Sequence, residues 1–94
     1  MLWPIRWSAQ SEADMQRLAR FLGEKSETLS KKTILRLIAF TEKLQIHPCL
    51  GEQLFDYKQT EVRRFVVDQY EIRYRVKKQE LLVLRVWHTR EQRP

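Results

Sequence analysis

The chain is poor in the residues that build covalent and metal frameworks: its 94 positions include one cysteine, two histidines and two glycines. A lone Cys49 forms no internal disulfide and supplies no thiolate cage, and it reads as a small apolar filler. His47 and His88 lie in different segments and share no ligand spacing with Cys49, so neither a metal nor another cofactor is expected. His47 precedes Pro48, which reads first as a helix terminator. Gly23 and Gly51 stand too far apart to form a phosphate-cradling loop. No serine has an identifiable base, so acyl transfer has no support. No apolar run approaches the roughly 20 residues of a membrane span. The opening residues, Met1-Leu2-Trp3-Pro4-Ile5-Arg6-Trp7, lack the charged start and long apolar middle of a signal peptide. These absences favour a cytoplasmic protein without a membrane partner.

What is present is a charged chain of one-domain size. Residues 1–94 form one expected domain, 43% apolar and 32% charged, with a net charge of +6. The charge is concentrated late in the chain. Residues 1–57 carry 8 basic and 7 acidic side chains, whereas residues 58–94 carry 10 and 5. Such an imbalance invites a polyanionic or acidic partner, and a solvated charged face is the plain alternative.

Periodicity predicts an α+β fold. Residues 2–7 read as a short strand, with Pro4 pointing to an edge or an unpaired position. Ser8 is placed as an N-cap, followed by acidic Glu12 and Asp14 and an apolar stripe of Met15, Leu18, Ala19 and Leu22, with Gly23 closing the helix. A second helix is predicted over 27–46 from Ile34, Leu37, Ile38, Thr41 and Leu44, stopped by His47-Pro48. The short link between them requires an antiparallel hairpin. Residues 48–60 read as irregular. Period-two patterning then predicts a three-stranded antiparallel meander over 62–67, 70–77 and 81–88, turning at Asp68-Gln69 and Lys78-Gln79-Glu80. In the middle strand Tyr70, Ile72, Tyr74 and Val76 face the helices, with Glu71, Arg73, Arg75 and Lys77 opposite. In the last strand strict alternation puts Leu82, Leu84, Val86 and His88 inward, and Val83, Arg85 and Trp87 outward. The hairpin and one sheet face then bury each other.

The outward face would display Arg73, Arg75 and Arg85 beside Trp87, within a larger set that includes Arg63, Arg64, Arg90 and Arg93. Guanidinium groups suit phosphates and carboxylates because they offer planar, paired donors. A histidine among them could serve as a general acid or base in RNA cleavage, or merely hold the strand end. Replacing outward-facing Arg85, or Arg90 beyond the strand, removes charge but little buried apolar area, so stability changes within about 0.5 kcal/mol are expected.

With this order of elements established, the chain resembles the ParE-type toxins of the RelE/ParE superfamily, the toxins of type II toxin–antitoxin and plasmid-stabilisation systems. The likeness rests on Trp7-Ser8, Ala13-Asp14, His47-Pro48-x-x-Gly51, Val62-Arg63-Arg64-Phe65, Tyr70-x-Ile72-x-Tyr74-x-Val76 and Leu84-Arg85-Val86-x-His88-x-Arg90. It implies a RelE/ParE-like fold, a cognate antitoxin and a hetero-oligomer with that antitoxin. It also implies one of two activities. ParE-like members inhibit DNA gyrase by binding, for which Arg73, Arg75, Arg85, Trp87, His88 and Arg90 are the target-binding candidates. RelE-like members cleave messenger RNA on the ribosome, for which Arg64, Arg73, His88 and Arg90 are the catalytic candidates. Glu71 stands where the RelE-like pattern places a catalytic arginine, and the tail Glu91-Gln92-Arg93-Pro94 lacks the tyrosine common there. A carboxylate repels a scissile phosphate, so the resemblance implies gyrase binding ahead of RNA cleavage.

Overall fold

A computed structural model describes residues 2–91; Arg93 lies outside the described residues. The elements run β1 (Ile5–Trp7), α1 (Ala9–Lys25), α2 (Glu27–Leu44), β2 (Glu52–Leu54), β3 (Glu61–Val67), β4 (Tyr70–Lys77) and β5 (Glu80–His88). The sheet order is β1-β5-β4-β3-β2, with β1 parallel to β5 and every other pair antiparallel. The α+β class and the hairpin-then-meander order agree with the sequence reading. Among the described residues, no helix is long and apolar enough to cross a membrane.

Ser8 caps α1 as expected: its Oγ accepts from the Ser11 amide at 3.0 Å and donates to the Leu84 carbonyl at 3.0 Å. One residue thus starts the helix and ties it to β5. The helix does not end at Gly23, however. It continues to Lys25, because nothing near Gly23 forces a turn and its backbone remains helical. Ser26 ends α1 by donating its backbone N–H to the Leu22 carbonyl, and its Oγ caps α2 by accepting from the Leu29 amide. A link this short folds the helices back on each other, and Ser30 Oγ joins them by donating to the Ala19 carbonyl at 2.8 Å.

Three corrections concern the sheet. Residues 52–54, read as irregular, form β2 against β3, with Leu54 opposite Val62. The loop before it is held by the buried Tyr74 hydroxyl, which accepts from the Gly51 amide and donates to the Pro48 carbonyl. The Arg63 guanidinium adds a 2.7 Å bond to the Gly51 carbonyl, so Arg63 is a structural residue. Finally, β5 does not alternate strictly. Tyr74 pairs with Val83 and Arg73 with Arg85, leaving Leu84 as an extra residue, a β-bulge. The bulge changes the parity of the strand. Leu81 and Val83 are the buried inward residues before it, and Val86 follows after it, so Leu82 and Leu84 are not the core positions that alternation implies.

The core fills the space between hairpin and sheet. Leu18, Leu22 and Leu37 pack against Val67, Tyr70, Ile72, Val83 and Val86. A second cluster joins Leu44, Tyr74 and Leu81. Both β-turns use positive-φ residues other than glycine: Asp68 at 55°, and Lys78 and Gln79 at 50° and 62°. Positive φ at both centres of the second turn is the type I′ pattern, whose twist matches a two-residue hairpin.

Candidate functional site

The register sorts the charged residues by face. Directly paired residues project to the same side, so Arg6, Glu52, Arg64, Glu71, Arg73, Arg75, Arg85 and Trp87 share the face away from the helices. His88 pairs with Tyr70 on the helix side, where the two rings meet edge to face at 5.2 Å. The residues proposed for acid–base RNA cleavage are therefore divided, with Arg64 and Arg73 on one side of the sheet and His88 on the other.

Trp87 projects outward as expected but is not displayed. It is only 5% exposed, because the Arg73 and Arg85 guanidinium groups lie over its ring at 5.0 and 4.8 Å. Arginine stems cover apolar surface while their heads reach polar partners, which explains a buried indole on an outer face. Those heads are engaged by carboxylates. Arg73 Nε lies 2.8 Å from Glu71, and Arg73 also donates to the Tyr57 hydroxyl at 3.1 Å. Arg64 pairs with Glu52 at 2.8 Å and lies 3.9 Å from Glu71. Glu71 is itself 2% exposed, so it is a buried clasp for the outer-face arginines.

Arg85 pairs with Asp14 of α1 at 2.8 Å. Asp14, read from the sequence only as an early acidic residue of the helix, is the junction of helix and sheet. It is 2% exposed and accepts from Arg17 at 2.6 Å, from Arg85 at 2.8 and 3.2 Å, and from the Val86 amide at 2.9 Å. Burial pushes its carboxyl upward, but the bonds from Arg85, Arg17 and Val86 outweigh burial and hold it below the ordinary carboxylate value. These bonds also cover the part of β5 that extends past the short β1 and would otherwise be an open edge. Arg85 is thus a structural as well as a surface residue, contrary to its expected dispensability. The signal available in the sequence was spacing: Asp14 and Arg17 are three residues apart on a helix, and Glu71 and Arg73 two apart on a strand.

At the end of β5, His88 Nδ1 accepts from the Arg90 amide at 3.1 Å, and its Nε2 faces the Gln69 side-chain oxygen at 3.1 Å. Both ring nitrogens are thus engaged, and the ring fixes the strand exit. The Arg90 side chain is exposed and lines a broad groove with Phe21, Leu22, Leu29 and Tyr70. Arg75, the remaining outer-face candidate, has no carboxylate partner among the described residues. Nor do the described residues place three or more His, Cys, Asp or Glu side chains where they could hold a metal ion.

Residues 5–93 match the family model described as ParE toxin of type II toxin-antitoxin system, parDE. The chain belongs to the ParE toxin family. Among solved structures it is similar to a chain of the chromosomal ParDE toxin–antitoxin system from P. aeruginosa, with a TM-score of 0.73 and 17% identity over 90% of this chain and 94% of that one. At that identity the likeness concerns the fold alone. No curated protein matches the chain.

Proposed function

We propose that this ParE-family chain is a cytoplasmic toxin that arrests growth by binding DNA gyrase and is neutralised by a cognate antitoxin. The observation that carries the reading is the family match across residues 5–93. The geometry is in keeping with binding rather than RNA cleavage. Arg64 and Arg73 are occupied by Glu52 and Glu71, and His88 lies across the sheet from both, so no acid–base pair stands over a common phosphate position. Target contact falls to the accessible parts of the basic sheet and its exit: Arg75, Arg90 and the outward edges of Arg73, Arg85 and the Trp87 they cover, with His88 holding the exit in shape.

Neutralisation needs a surface for the antitoxin. Ile5, Trp7, Met15, Ile34 and Ile38 line an open groove of about 590 Å³ between β1 and the hairpin. An amphipathic segment would bury its apolar side there, and acidic residues on it would complement the excess positive charge. Expression of the chain alone in bacteria should arrest growth with filamentation and a DNA-damage response while bulk messenger RNA stays intact. Co-expression of the adjacent small gene should restore growth. Normal growth with soluble, folded protein, or codon-biased cleavage of messenger RNA without DNA damage, would overturn the reading.

A further inference from the structure

We propose that a hollow beside the β4–β5 turn, on the outer face of the sheet, is a binding subsite for a phosphate oxyanion, with Arg75 as its principal donor. The hollow measures about 240 Å³ and is lined by Arg6, Arg75, Lys77, Lys78, Glu80 and the two leucines that follow it. The register explains the convergence. Leu82 pairs with Arg6 on one side and Arg75 on the other, so the two arginines flank one residue across three strands. With adjacent strands about 4.8 Å apart, their backbones are ~10 Å apart, a span that two long side chains can close around a small anion.

The electrostatics differ from the rest of this face. Arg64, Arg73 and Arg85 each have a carboxylate partner. Among the described residues, the side chains of Arg6, Arg75, Lys77 and Lys78 have neither an ion pair nor a hydrogen bond. Arg75 Nε is in addition buried without an acceptor. A buried charged donor lacking an acceptor is unfavourable and uncommon in native folds, and an oxyanion would satisfy it. Among the residues lining the hollow, Glu80 is the one carboxylate against four cations, and guanidinium donors flanked by ammonium groups suit phosphate oxygens. An acidic peptide fits less well. Peptides gain affinity by adding to a strand edge or filling apolar pockets, and here β5 is already paired on both sides and the lining is mostly charged. The subsite does not depend on which cellular target the toxin engages.

The test is an NMR titration of the purified chain at constant ionic strength, reading the Arg75 Nε–H signal and the backbone amides of Lys77 and Lys78. The probes are inorganic phosphate, a short DNA duplex and, as a competitor class, a polyglutamate peptide. Phosphate should move these signals, and the duplex should do so at lower concentration. An Arg6→Gln/Arg75→Gln variant should bind the duplex about 10-fold more weakly, with its log–log salt dependence shallower by about 1–2. Lys77→Gln/Lys78→Gln alters only exposed side chains, so it tests the site without a folding risk and should weaken duplex binding about 3-fold. Movement with phosphate but not with duplex assigns the subsite to the free anion. Signals that stay still with both, signals that move only with polyglutamate, or duplex affinity unchanged in the lysine variant would overturn the proposal.

Discussion

Replacing Asp14 with Ala should destabilise the protein by about 2–4 kcal/mol, a large effect for a polar residue on the first half of a helix. The figure is built from the groups left behind. The Val86 amide loses its 2.9 Å acceptor at a buried position, which costs about 1–3 kcal/mol. Arg17 and Arg85 lose their carboxylate, but their side chains are 42% and 23% exposed, so water recovers part of the loss. Their combined share is then about 1 kcal/mol. For a domain of this size such a loss lowers the melting temperature by about 10–25 °C. Asp14→Asn keeps an acceptor for Val86 and should lose about half as much. The effect should depend on pH in a defined direction. The folded carboxyl titrates below its ordinary value of 3.8, so its contribution is present above that value and is lost as pH falls. Urea denaturation of wild type and Asp14→Ala should therefore differ fully at neutral pH, and the difference should shrink as pH falls through the acid range. A difference under about 0.5 kcal/mol at pH 7, or one that grows on acidification, would refute the reasoning.

Other perturbations follow from the same geometry. Gly23→Ala should stabilise by about 0.5–1 kcal/mol, since a Cβ there meets nothing within 4 Å inside a helix, whereas Gly51→Ala should cost about 1–3 kcal/mol because its Cβ would sit 2.6 Å from the Arg64 carbonyl oxygen. Thermal melts would order these two variants on opposite sides of wild type. Tyr74→Phe removes the hydroxyl that joins Gly51 to Pro48 and should cost about 1–3 kcal/mol in urea denaturation. Arg90→Ala should change stability by less than about 0.5 kcal/mol, preserve antitoxin capture and weaken growth arrest. Full toxicity in that folded variant would remove Arg90 from the target surface.

How far the sequence could be read depends on which interactions are local. Ser8 announced a helix start because capping is a matter of a few adjacent residues, and the alternation of Tyr70, Ile72 and Tyr74 placed β4 because one face of it is fully buried. The bulge at Leu84 had no local signature. It is tied to tertiary structure, through the bonds of the Val83 and Leu84 carbonyls to Ser8 and of the Val86 amide to Asp14, residues some seventy positions earlier in the chain. Strand β2 was missed because Glu52-Gln53-Leu54 is short and carries no β-branched or aromatic residue; pairing with β3 defines it. On the outer face, parity correctly assigned Arg73, Arg85 and Trp87 to one side. Parity does not say that two arginine stems bury the indole or that Glu71 and Asp14 engage their charges. Charge counting consequently located the basic face, while the unpartnered charge on it lies nearer its other end, around Arg75.

The proposed binding of gyrase by this ParE-family chain can be tested with purified components. Its most direct test is the supercoiling of relaxed plasmid by purified gyrase with the purified chain added. Supercoiling should stop, linear plasmid should appear after protein digestion, and prior addition of antitoxin should prevent both. Undiminished supercoiling, together with cleavage of messenger RNA when the same preparation is added to translating ribosomes, would contradict it.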